Sequence, residues 1–172
     1  MENLVENISK SVAIELLFEE MPTRPTANAI FREARKIFGD INIINRDEND
    51  IEFSVDKFVA YNEDNTTSPV VLAMGNITDF DYKVAVSEFE RTQIWNVANS
   101  EELLSKYKYA VKIWDVNAQR QIPKERAIML VDWLNVALKL YPKCQAIWIK
   151  SAGKLQLAQS IKNLKETGIV KY

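Results

Sequence analysis

The chain has 172 residues, of which 47% are hydrophobic and 27% charged. This is the length and composition of one globular domain, not of a disordered, collagenous or coiled-coil chain. Histidine is absent and Cys144 is the single cysteine, which removes zinc fingers, disulfide scaffolds, Ser-His-Asp and Cys-His catalysis and every metal site built on imidazole.

The net charge of −2 conceals an asymmetry. Residues 1–90 hold 8 Lys/Arg against 18 Asp/Glu, a net of −10, and residues 91–172 hold 14 against 6, a net of +8. Such a split suits an acidic face for a basic partner, a basic face for an acidic one, or two halves that attract each other within one fold. The pI of 5.4 counts against nucleic acid. Residues 1–10 carry acids and no apolar core, unlike a secretory signal, and read as a flexible or short helical lead-in. No run approaches the ~18 apolar residues of a membrane span. One thiol and no leader make a reducing cytoplasm the expected compartment.

Val12, Ile14, Leu16 and Phe18 alternate with Ala13, Glu15 and Leu17 and predict a first strand. Pro22 and Pro25 break the chain, with Pro25 suited to the first turn of a helix. Ala27, Ile30, Phe31, Ala34, Ile37 and Phe38 follow a 3.6-residue period that Gly39 ends. Ile41 to Ile44 predicts a short strand and Asp47 to Asp50 a turn. Ile51 to Tyr61 predicts a long strand whose alternation slips near Asp56-Lys57, the mark of a bulge. After a polar loop, Pro69 opens the apolar run Val70–Met74, expected as a strand buried on both faces.

From Asn76 to Asn99 the pattern weakens, with faint alternation at Tyr82, Val84 and Val86 and a short helix expected within Phe89 to Val97. Ser100-Glu101-Glu102 starts a helix, acids first. Tyr107 to Val116 predicts a strand with Tyr109, Val111 and Ile113 on one face and Lys108, Lys112 and Trp114 on the other. Pro123 starts the longest helix, to about Tyr141, with one stripe at Ala127, Leu130, Val131, Leu134, Ala137, Leu138 and Tyr141. A second stripe, Met129, Trp133, Val136 and Leu140, is expected either in the core or in a homodimer interface. Ala146 to Ile149 predicts a strand, Ser151 to Gly153 a turn, and Leu157 to Lys165 a last helix. No linker or repeat divides the order, so residues 1–172 are expected as a single α+β domain, helices packed on a sheet, with two split β-α-β halves in a ferredoxin-like arrangement.

Five features bear on function. Asp79 and Asp81, with Glu88 and Glu90 beyond, could hold a metal, act as an acid/base pair, or sit in solvent as the contact surface for a basic protein. Trp114 and Trp148 share strand faces with Lys108, Lys112 and Lys150, an aromatic and basic face that could stack single-stranded nucleic acid if no helix covers it. Trp95, in the least regular segment, either pins a loop to the core or anchors a partner. Ser151-Ala152-Gly153-Lys154 lacks the first glycine and the hydroxyl residue of a phosphate loop, and Cys144, with no histidine to activate it, reads as a buried thiol.

Leu16-Leu17-Phe18-Glu19-Glu20-Met21-Pro22, the Ile94-Trp95 pair, Tyr109-Ala110-Val111, the helix from Pro123 and Ile147-Trp148 followed by Ser151-Ala152-Gly153 resemble, in that order and over residues 11–162, the bacterial domain-of-unknown-function family 4261 of small α+β proteins. The resemblance implies the context of an immunity or accessory protein in a bacterial toxin or secretion system, and brings no catalytic residues with it. Together these observations predict a non-enzymatic, cofactor-free protein that binds a protein partner such as a basic toxin or effector. Asp79, Asp81, Glu88, Glu90 and Trp95 are the expected contacts. A nucleic-acid or nucleotide module and a carboxylate or metal-dependent enzyme are the alternatives.

Overall fold

A computed structural model describes residues 11–166; the expectation for residues 1–10 lies outside them. The described residues form one seven-stranded, wholly antiparallel sheet in the order β2-β3-β4-β5-β1-β6-β7. The strands are β1 (Ala13–Phe18), β2 (Ile41–Arg46), β3 (Asp50–Tyr61), β4 (Thr67–Asp79), β5 (Tyr109–Val116), β6 (Ala146–Ile149) and β7 (Lys154–Leu157). The helices are α1 (Ala27–Phe38), α2 (Tyr82–Ala85), α3 (Glu88–Gln93), α4 (Ser100–Lys106), α5 (Pro123–Leu140) and α6 (Ala158–Glu166). This is the α+β architecture expected.

The pairing also contains the two split β-α-β halves. β1 and β4 run parallel with β5 between them, and β5 and β6 run parallel with β1 between them. Helices α1 and α5 pack against each other on one face, over Leu16, Phe18, Phe53, Leu72, Val111, Ile113 and Ile147. The hairpin β2-β3 and the strand β7 extend this centre on either side. The acidic and basic halves of the sequence therefore interleave, since β1 of the first lies between β5 and β6 of the second.

Local chemistry sets most boundaries. The Thr26 hydroxyl accepts from the Ala29 N–H at 3.2 Å and caps α1, so Pro25 stands just outside the helix rather than in its first turn. Gly39 ends α1 at φ +75°, a conformation that a Cβ would strain. The slip near Asp56-Lys57 is a real register shift between Val55 and Val59. Strand β4 runs further than the apolar run Val70–Met74, with a shift between Met74 and Ile77, and Val71 is only half-buried, so its second face is partly open. Strand β7 was not expected; it fills Lys154 to Gln156, between the residues read as a turn and as the last helix, and takes Leu157 from the start of that helix.

Two expectations are corrected here. Tyr82, Val84 and Val86 do not alternate along a strand: Asp81 and Ser87 cap short helices there. The stripe offered for a homodimer is core, because Met129 and Trp133 are fully buried, Val136 is 3% exposed and Leu140 is half-buried against the same cluster. Trp133 stands edge-on to Phe53 with centroids 5.2 Å apart and donates from Nε1 to the Ala73 carbonyl at 3.1 Å. Helix α5 is apolar on two sides because the sheet lies beneath it and α1 beside it.

Candidate functional site

The opposite face of the sheet carries a second, smaller core. Leu17, Ala110, Ala146, Trp148 and Leu155 point out of β1, β5, β6 and β7 and are roofed by Phe80, Val86, Ile94, Leu104 and Tyr107. The roof is residues 80–107, the weakly patterned segment of the sequence together with α4. It is held by its caps and anchors rather than by a long periodic helix. Asp81 accepts from the Lys83 N–H at 3.0 Å. Ser87 and Glu90 form a reciprocal capping box, with Glu90 N–H donating to Ser87 Oγ at 3.2 Å and Ser87 N–H to Glu90 Oε2 at 2.7 Å, satisfying donors at the helix start. These bonds hold the Glu90 carboxyl below the usual carboxylate range.

With Phe80, Val86, Ile94, Leu104 and Tyr107 turned inward, the same segment turns three large apolar residues outward. Val84 is 84% exposed, Phe89 73% and Trp95 86%. They are the three most exposed large apolar side chains among the described residues. In and next to the same segment Asp79, Asp81 and Glu88 are exposed, and Glu90 is half-buried. Residues 79–102 hold 6 Asp/Glu against 2 Lys/Arg. Of the two cations, Arg91 is turned to its own segment: it donates from Nη1 to the Val86 carbonyl at 2.9 Å and lies 5.6 Å from the Tyr82 ring centroid. The segment thus combines an acidic surplus with three exposed apolar side chains. Of the five residues expected to contact a partner, Asp81 and Glu90 cap helices, and Asp79, Glu88 and Trp95 have no such cap bond among those described.

Beside Trp95 runs a groove of about 340 Å³, lined also by Gln93, Asn96, Gly153, Lys154 and Gln156. Asn96 Nδ2 donates to the Leu155 carbonyl at 2.8 Å, which ties the end of the roof to β7.

The other constellations separate. Trp148 is fully buried under the roof, so it cannot offer a stacking surface. Trp114 is half-buried and lies against Gly75, with Lys112 Nζ 5.2 Å from its ring centroid. β1 stands between these tryptophans' strands and places Glu15 opposite both Lys112 and Trp148. Burial pushes the Glu15 carboxyl up despite the pull of Lys112 and Lys150. Among the described residues no group of three or more acidic or cysteine side chains could hold a metal ion, so Asp79, Asp81, Glu88 and Glu90 do not converge as one. A wider groove of about 590 Å³ is lined by Glu19, Glu20, Lys143, Cys144, Gln145 and Lys162 among others. Its thiol is 5% exposed, donates to the Ala146 carbonyl at 3.2 Å, and is pushed by burial up to about 12, the opposite of an activated nucleophile. No described helix is long and apolar enough to cross a membrane.

Sequence reading found the acids and Trp95 but not Phe89 and Val84. Those two were read instead as part of a faint strand alternation and as the start of a short helix, patterns in which an outward turn leaves no mark. No family model, no curated protein and no solved structure matches the chain, so the resemblance to the domain-of-unknown-function family rests on the residues that carry it.

Proposed function

We propose that the protein is a non-enzymatic binding protein that recognises a basic protein partner through residues 79–102, in the manner of an immunity or accessory protein of a bacterial toxin or secretion system, within the cytoplasm. The observation that carries this reading is the 86% exposure of Trp95, in a segment, residues 79–102, that holds 6 Asp/Glu against 2 Lys/Arg. Tryptophan is the side chain most enriched among interface anchors, and a rim of like charge steers an oppositely charged partner and sharpens its choice. Phe89 and Val84 extend the apolar contact. The family resemblance and the charge asymmetry of the chain support the toxin or secretion-system context.

The test is affinity capture from the native cytoplasm, with the products of adjacent genes included as purified candidates. Wild type is compared with Trp95→Ala, Phe89→Ser and a Glu88→Lys, Asp79→Lys double variant, all first shown to unfold at the wild-type urea midpoint. Support is one stoichiometric protein, held more weakly as salt rises, lost with Trp95→Ala and slowed in association by the charge reversal. A partner retained equally by every variant would place the contact elsewhere. Recovery of nucleic acid, displaced by Lys112→Ala, would favour the half-buried Trp114 face instead.

A further inference from the structure

We propose that the groove over Cys144 binds a small zwitterion: a molecule with an ammonium, a carboxylate and an apolar body, the chemistry of a free amino acid or a short peptide. This goes beyond the partner-binding reading, since none of residues 79–102 lines the groove.

Four charges line this cavity of about 590 Å³: Glu19 and Glu20 just after β1, Lys143 after α5 and Lys162 from α6. Elsewhere in the protein opposite charges find each other. Glu33 takes Lys36 and Lys139, Asp115 takes Arg126, and Glu63 takes Arg120. Here they do not. Among the described residues none of Glu19, Glu20, Lys143 and Lys162 stands in an ion pair, although all four face one cavity. A simple anion or cation satisfies only one sign, and a phosphate ester would set its charge against Glu19 and Glu20. A molecule that carries both signs satisfies both.

The two sides are held in place. The Glu19 N–H donates to Gln145 Oε1 at 2.9 Å, which ties the end of β1 to the start of β6. Lys162 is half-buried and donates from Nζ to the Pro142 carbonyl at 3.3 Å. That carbonyl is neutral, so the bond orients the ammonium without cancelling its charge and leaves N–H donors for a ligand carboxylate. Burial pushes the Cys144 thiol up, with the Lys162 charge among the groups pulling against it. Burial also pushes the Tyr107 phenol up, and Glu19 and Cys144 add to that push. Glu19 and Lys162 thus both lie within electrostatic reach of one buried pair, Cys144 and Tyr107. Pro142 and the 42%-exposed Leu157 give the apolar wall, and the volume is that of an ordinary ligand cavity.

The test is ligand-observed NMR and thermal unfolding of the full-length protein with each of the twenty common amino acids and with leucyl-leucine. The N-acetylated and C-amidated forms of each binder follow. The expected result is saturable binding that raises the unfolding temperature and weakens roughly tenfold when either charge is blocked. Lys162→Met and a Glu19→Gln, Glu20→Gln double variant should weaken it likewise, and Trp95→Ala should leave it unchanged. In Lys162→Met, amidation of the ligand should cost little more, because the partner of its carboxylate is already gone; a merely structural loss would leave that cost intact. Should Lys162→Met lower the urea midpoint, Lys143→Met, at an exposed position, takes its place. Binding of amino acids alone or of leucyl-leucine alone supports the site and identifies the source. No saturable binding of any probe, equal binding of the blocked forms, or binding that the groove variants leave unchanged would each overturn it.

Discussion

The fully buried carboxylate of Asp115 and the guanidinium of Arg126 meet in a two-pronged pair, Nε to Oδ2 at 2.7 Å and Nη2 to Oδ1 at 2.9 Å, while Oδ1 also accepts from the Val12 N–H at 2.8 Å. One side chain of β5 thereby fixes both the start of β1 and the first turns of α5. A buried pair of this kind is worth little against a well-packed apolar replacement, but removing one partner strands the other charge. Arg126→Met should cost about 3–5 kcal/mol of stability, and adding Asp115→Asn to it should recover part of that loss. Urea unfolding of wild type and these two variants checks this. A single Arg126→Met change costing under about 1 kcal/mol would mean that water reaches Asp115 in the folded protein.

A second tie joins the two helices that cover the larger core. Glu33 of α1 accepts from Lys36 at 2.7 Å and from Lys139 of α5 at 2.6 Å, and these hydrogen bonds hold its carboxyl down to about 2. A carboxyl lowered by folding stabilises the protein above its ordinary value and ceases to do so as pH falls toward the folded value. The urea midpoint should therefore fall with pH between 4.5 and about 2, and Lys139→Met should flatten that fall. Asp47 and Asp64, lowered by hydrogen bonds in their turns, act in the same direction. Glu15, raised by burial, acts in the opposite one, since its ionisation is disfavoured in the folded state. An unchanged pH slope in Lys139→Met would remove the inter-helix tie as its cause.

The elements written most plainly in the sequence are those whose period matches a single buried face. β1, α1 and β5 each have one dominant apolar side, and each lies where its pattern puts it, although Leu17 and Ala110 also enter the second core. Helix α5 shows why a pattern can be right and its use undetermined: two apolar stripes signal two contacts, but only the fold says that both belong to the same chain. β7 was obscured because four residues after a single turn give no more than two alternations, too few to outweigh the helix that follows. The roof over β6 and β7 was obscured for another reason. Its helices are defined by Asp81 and by the Ser87–Glu90 box rather than by periodicity, and Ser87-Glu88-Phe89-Glu90 was the legible sign of it. At the site, charge was readable from composition, whereas the outward turn of Phe89 and Trp95 depends on which neighbours, Val86 and Ile94, the sheet takes inward.

Trp133 distinguishes the core role of the second α5 stripe from an association role. It is fully buried, edge-on to Phe53 and bonded to the Ala73 carbonyl. Truncation to alanine should cost about 3–5 kcal/mol, and Trp133→Phe, which keeps most of the volume but leaves that carbonyl without its indole donor, about 1–3 kcal/mol. Neither change should alter the sedimentation behaviour of the folded protein. A change in association state at unchanged unfolding midpoint would instead restore an interface role for the stripe.

Cys144 gives a probe of global opening that no other residue provides, since it is the single thiol. In the folded protein it is 5% exposed and its pKa stands at about 12, so at pH 8 only about one molecule in 10⁴ carries the thiolate that reacts. Unfolding removes both the burial and the shift, and exposes a thiol with the ordinary value of about 8.5. Reaction with a thiol reagent in native buffer should therefore be slow and should accelerate with urea in parallel with the unfolding equilibrium, as expected when modification requires opening. Variants weakened in the core, such as Trp133→Phe, should react faster in proportion to their lost stability. Variants of the exposed surface, such as Trp95→Ala, should react at the wild-type rate. Fast stoichiometric reaction of the native wild type would mean that the groove over Cys144 admits small molecules to the thiol, and would reopen that groove as a site of chemistry.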